Sequence, residues 1–196
     1  LLVVLDACVL YPPSLRDLLL TLAALDAFDV RWTEAILEEV RRNVVVDNPE
    51  VDPTRFTKHT LSEMRRHFPE AMVAVGQDEI DALDNHPKDR HVAAAAIVAN
   101  ADAVVTINVK DFRSKVPGDA GISVMTPGEL VETTLDEAPE LVGCALHRIA
   151  ARWTNPARAP AELVDPPAVH PTSARQRSPT HPGLGRPRPP RRRRDH

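Results

Sequence analysis

No run of about 18 apolar residues occurs in the 196-residue chain, so no helix of it is expected to span a membrane. The opening LLVVLDACVLY has no basic region ahead of its apolar run, and Asp6 interrupts it, so a secretory signal is not expected. Cysteine is nearly absent. Cys8 and Cys144 both stand among apolar residues, which suits a reducing cytoplasm and excludes a disulfide scaffold. Glycine is scarce, at seven residues, and none forms a phosphate-cradling loop, which argues against a nucleotide-dependent enzyme. No serine or cysteine nucleophile is spaced to use His91 as its base, and no internal repeat is present.

What is present is an ordinary globular composition, 43% hydrophobic and 27% charged, long enough for one sizeable core and an appendage. The net charge of −4 conceals an uneven distribution. Eight of the 24 basic residues but only one of the 28 acids, Asp195, lie beyond residue 165. The first 165 residues therefore hold 16 bases against 27 acids. A body this acidic repels nucleic acid in general, so any RNA it binds needs metal ions and a local basic patch.

The apolar run at residues 1–5 reads as a buried parallel strand. Pro12, Pro13 and Ser14 open a helix bearing Leu15, Leu18, Leu19 and Leu22. A strand is expected around Val30–Trp32, then a helix capped by Thr33 and running to Arg42, and another over 54–67. Met72–Val75 reads as strand-like and Asp89–Ala99 as helix. Ala103–Thr106 and Ile122–Met125 read as strands, and 127–135 and 139–153 as helices, the last with Leu141, Ala145 and Ile149 on one stripe. Strands alternating with helices predict a three-layer α/β/α domain around a parallel sheet over residues 1–126. A helical extension over 127–165 follows, then a Pro/Arg-rich tail over 166–196 with no apolar face to bury, expected to be disordered.

Asp6 ends the first strand, and Asn108 and Asp111 follow the AVVT strand. In a parallel sheet all strand C-termini share one edge, where ligand sites of open α/β sheets lie. Glu39 joins them by helical phase: it flanks the apolar stripe of Ile36, Leu37, Val40 and Val44, whereas Glu38 points away and is placed to pair with Arg42. Asp89 opens the Ala-rich helix that leads into the AVVT strand, at the same edge. Clustered carboxylates repel unless a cation joins them, and a hard divalent ion such as Mg²⁺, with Mn²⁺ as a substitute, is the natural partner. The plainer roles are a strand terminator for Asp6, a solvated helix position for Glu39, a helix-dipole partner for Asp89 and turn residues for Asn108 and Asp111. Arg16, Asp17 and His91 either line the groove or form surface pairs.

LLVVLDACVLYP resembles the opening of PIN domains, in which an Asp closes the first strand. ILEEVRRN is similar to the segment carrying their Glu, matching Glu39, and DRHVAAAAIVANADAVVTINVKDF resembles their later acidic motifs, matching Asp89, Asn108 and Asp111. The resemblance covers about residues 1–165 and implies a VapC-type toxin of a bacterial toxin–antitoxin pair. Such a protein is a cytoplasmic, Mg²⁺-dependent endoribonuclease with a PIN nuclease domain at 1–126. It implies Asp6, Glu39, Asp89 and Asp111 as catalytic metal ligands with Asn108 beside them, and hydrolysis leaving 3′-hydroxyl and 5′-phosphate ends. It also implies a homodimer, neutralised by a small antitoxin covering the site. The chain departs from the family in carrying Cys8 where Asn, Asp or Ser is frequent, a poorer hydrogen-bonding group beside the site, and neutral Asn108 where Asp is frequent, which weakens the hold on a second metal. The alternatives are a catalytically weak PIN-fold adaptor acting on RNA or protein, a phosphatase using Asp6 as nucleophile, and a receiver-like regulator. The phosphatase lacks its second Asp two residues on, and the regulator lacks a following Lys.

Overall fold

Leu2–Leu5 (β1) is the centre of the molecule: Val3, Val4 and Leu5 are all inaccessible to solvent, as a strand covered on both faces requires. The computed structural model describes residues 1–83, 88–113 and 121–152, which fall within a unit spanning Leu1–Pro166. The expected tail at 166–196 and the end of the extension, Trp153 included, lie outside the described residues.

A four-residue helix, Ala7–Leu10 (α1), follows β1 directly, then Pro13–Ala23 (α2) with its proline at the first helical position. Asp26 takes a left-handed conformation (φ 62°) in the turn back to Asp29–Arg31 (β2). Glu34–Asp47 (α3) starts as expected at Thr33, whose hydroxyl accepts from the Ile36 amide, but runs five residues past Arg42. Val44 is buried and carries the apolar stripe through that extra stretch.

The single helix expected over 54–67 is three consecutive pieces: Pro53–Phe56 (α4), a π-helical turn Thr57–Leu61 and Ser62–His67 (α5). Ser62 Oγ donates to the Thr57 carbonyl five residues back, the spacing of a π turn. The wider turn brings Leu61 onto the buried face with Met64, five residues after half-buried Phe56, a step that α-helical phase alone would turn away. A 3₁₀ turn, Pro69–Ala71, follows. Met72–Val75 does not form the expected strand; only Met72 bridges Trp32, with Val73 N donating to the Trp32 carbonyl at 2.9 Å. Gln77–Asp81 (α6) is a short helix that no apolar periodicity signals.

Arg90–Val98 (α7) lies on the sheet through buried Val92 and Ala93 to Ala96, and left-handed Asn100 (φ 51°) ends it. Ala103–Val105 (β3), a further unexpected short helix Val109–Arg113 (α8), and Ser123–Met125 (β4) follow. A capping box opens Pro127–Glu137 (α9): Glu129 N donates to Thr126 Oγ1 at 3.1 Å, and Thr126 N donates to the Glu129 carboxylate at 2.6 Å. Pro139–Arg152 (α10) then packs on α2 and α9 with Val142, Ala145 and Ile149; Val142 takes the inward place expected of half-buried Leu141.

All four strands are parallel, in the order β2-β1-β3-β4, with Val3 paired to Val30 on one side and to Ala103 on the other. The fold is therefore α/β, a parallel four-stranded sheet flanked by helices, consistent with a PIN-like architecture.

Candidate functional site

The chain passes from β1 outward to β2 on one side, while β3 and β4 lie on the other. The crevice of such a sheet opens at the carboxyl ends of the two strands where the order reverses, here β1 and β3. Asp6 follows β1 and Thr106 follows β3, so adjacent strands deliver both to this crevice. The Asp6 amide donates to the Val105 carbonyl (3.1 Å), and the side chain is only 7% exposed. Its Oδ2 accepts a 2.7 Å hydrogen bond from buried Thr106 Oγ1 and a 3.1 Å bond from Cys8 Sγ. Thr106 Oγ1 in turn accepts from the Asn108 amide at 3.0 Å.

Asp6 sits at the N-cap position of α1, yet its side chain caps nothing. Among the described residues no cation pairs with it and no hydrogen bond reaches its Oδ1. A carboxylate so shielded from water loses solvation energy that two neutral donors only partly restore.

Cys8 does not sit in wholly apolar surroundings, contrary to the sequence expectation. Helix α1 turns its thiol back onto the Asp6 carboxylate, 3.3 Å from Thr106 Oγ1, where it also accepts from the Ile107 amide at 3.3 Å. Burial, then the negative charge of Asp6, push the thiol up to about 12. At pH 8 that shift from 9.0 leaves a thiolate population about a thousandfold smaller than an ordinary cysteine has. Cys8 in the folded protein is therefore expected to resist iodoacetamide over a period in which urea-unfolded chain is fully labelled. Peptide mass spectrometry checks this, and rapid labelling of Cys8 in the native state would contradict it.

Glu39 and Glu38 are neighbours on α3 with different fates. Glu38 is exposed and pairs with Arg41, 2.5 Å away, rather than with the expected Arg42; Arg41 is three residues on and lies over the same turn. Glu39 is half-buried, and its Oε2 lies 3.3 Å from His91 Nε2 in the first turn of α7. The polar contact with His91, helped by Arg42 and Lys88, holds the Glu39 carboxyl below the usual glutamate value against the opposing effect of burial. Of the other possible groove residues, Arg16 donates to the Leu10 and Tyr11 carbonyls, and Asp17 pairs with Arg152.

Asp89 precedes α7 and is half-buried; its carbonyl accepts from the Val92 and Ala93 amides, but its side chain does not cap the helix. Asn108 is exposed just beyond Thr106. Asp111 lies in α8, and its side chain lies outside the described residues. Asp6 and Asn108 are thus joined through Thr106, whereas Glu39 is joined to α7 through His91. Among the described residues no three His, Cys, Asp or Glu side chains are gathered to enclose a metal ion. A cleft of about 570 Å³ opens elsewhere, between α2, the π-helical turn with α5, and α10, and none of the five expected site residues lines it.

Thr106 is the partner of Asp6 that sequence reasoning passed over. The sequence held one signal for it, a polar residue closing the apolar AVV run, and the structure buries it fully.

Fold and edge together define an α/β protein with a PIN-like parallel sheet and a buried acid at its switch point. A stretch of 88 residues is 32% identical to the "Putative ribonuclease VapC50" of Mycobacterium tuberculosis (strain H37Rv), covering 45% of this chain and 52% of that protein. The chain thus spans about half the length of the curated relative it matches. No protein-family model matches the chain. No solved structure matches it either. Among the described residues no helix is long and apolar enough to cross a membrane.

Proposed function

We propose that this chain is a Mg²⁺-dependent endoribonuclease of the PIN type, the toxin of a toxin–antitoxin pair in the bacterial cytoplasm. The observation that carries it is Asp6: a buried carboxylate without a cationic partner among the described residues, fixed by Thr106 and Cys8 at the sheet's switch point. The likeness to a protein named as a ribonuclease supports the same reading. Asp6, Glu39, Asp89 and Asp111 would hold the ion, with Asn108 at the rim; an all-oxygen donor set suits Mg²⁺ or Mn²⁺. When bound, the ion supplies Lewis-acid stabilisation of the charge that develops as an RNA phosphodiester is hydrolysed. The protein's own part is positional. Thr106 and Cys8 both donate to Oδ2 of Asp6, which leaves Oδ1 as the oxygen available to an ion, and Glu39 lies 3.3 Å from His91. RNA is the substrate, a cognate antitoxin protein covers the crevice, and the toxin acts as a homodimer.

A PIN-fold adaptor with weak catalysis is the second reading, favoured by neutral Asn108 in the rim. Incubation of the purified chain with end-labelled bacterial RNA separates the two. Internal cleavage to 5′-phosphate ends that depends on Mg²⁺ or Mn²⁺ and stops with EDTA is expected of the nuclease. Retention of RNA with no cleavage in either metal would favour the adaptor and overturn the first reading.

A further inference from the structure

We propose that His91 is a positioning residue for Glu39, a brace between α3 and α7 that sets the orientation of this carboxylate; the inference rests on the nuclease reading of the crevice. The two helices pack against each other, and the Glu39–His91 contact is a polar link between them at the end where Asp89 precedes α7. The His91 side chain is 17% exposed, and its Nε2 is sealed from water without a well-aligned hydrogen-bond partner. The Glu39 carboxylate, 3.3 Å away, is the group within reach of that nitrogen. A buried N–H left unpaired costs on the order of 1–3 kcal/mol, and the Glu39 carboxylate is the acceptor beside it.

Glu39 needs such a brace. Its side chain is 32% exposed and has three rotatable bonds, so without a partner it would spread over rotamers that point into solvent. Glu38, the preceding residue, turns outward and is held by Arg41 instead. A glutamate recruited to a reaction must be held in one rotamer before substrate arrives, and His91 supplies that restraint from the helix that also carries Asp89. Neutral imidazole with its proton on Nε2 donates to the carboxylate as imidazolium does, so the brace does not depend on the charge of the ring. A surface ion pair worth little is the plain alternative, but it does not account for a nitrogen sealed from water.

The test uses four variants of the full chain: His91→Ala, His91→Gln, Glu39→Gln, and His91→Ala with Glu39→Gln. Removal of a residue that orients an active-site ligand typically costs about 10–100-fold, so His91→Ala should lower kcat on RNA by that factor. KM should stay within about threefold, because RNA binding itself is untouched. His91→Gln keeps an N–H donor and should recover part of the loss. Independently of activity, the melting-temperature losses of His91→Ala and Glu39→Gln, measured without metal, should fail to add in the double variant. A kcat for His91→Ala within twofold of the parent overturns the proposal, and so do additive melting-temperature losses. If the parent cleaves no RNA, the nuclease reading and the catalytic use of His91 fall together, and the melting cycle still decides whether the two side chains are coupled.

Discussion

Asp6→Asn is expected to abolish RNA cleavage, by at least about 10²–10³-fold, while leaving the metal-free protein as stable as the parent or more stable. The asparagine carbonyl still accepts from Thr106, so the link between the ends of β1 and β3 survives. What disappears is a negative charge that is 7% exposed and meets no cation among the described residues. Burying that charge is a cost to the fold, and removing it relieves the cost. In the parent, Mg²⁺ or Mn²⁺ at a hundred times its dissociation constant should stabilise the fold by about 2.7 kcal/mol. For a chain of this size that is a rise of roughly 5–10 °C in melting temperature. The same ions should leave Asp6→Asn unmoved. Differential scanning calorimetry with and without each ion, beside a cleavage assay, gives both readouts. No ion-dependent shift in the parent would remove the metal from the site, and near-parental cleavage by Asp6→Asn would remove Asp6 from the chemistry.

Glu39→Gln should cost most of the cleavage activity, on the order of a hundredfold in kcat, whereas Glu38→Gln should stay within about twofold of the parent. The two residues have the same chemistry, are adjacent, and share one helix, so only their directions distinguish them. Glu38 is exposed and paired with Arg41, a surface contact worth about 0–1 kcal/mol that lies away from the crevice. Glu39 is half-buried and held against α7 by His91. Steady-state cleavage of one labelled RNA by both variants decides the matter. Equal losses would mean that the face of α3 turned toward α7 is not the functional one.

Much of this was written in the residue order. The two central strands, β1 and β3, follow from short runs of β-branched and leucine residues, and β1 at residues 2–5 is legible because Val3, Val4 and Leu5 have no polar alternation. The parallel sheet follows from the helices between the strands, and the edge position of Asp6 and Asn108 follows from the sheet. Glu39 was separable from Glu38 by phase alone, because Ile36, Leu37, Val40 and Val44 mark the buried face. The short helices at 7–10, 77–81 and 109–113 were not legible, since four or five residues are too few for a 3.6-residue period to show. Nor was the π-helical turn at 57–61, which is selected by where Leu61 and Met64 find core. The partners were the deeper loss. Thr106 is 100 residues from Asp6 and His91 is 52 from Glu39, and no local pattern encodes either contact. Composition and periodicity determined that Asp6 and Asn108 follow strand ends at the edge, because strand positions depend on local backbone preference and on which faces must be dry. Which neutral donor holds Asp6, which ring braces Glu39 and which way the Cys8 thiol turns were decided only when β1 met β3 and α3 met α7, because a hydrogen bond forms between groups that packing brings together.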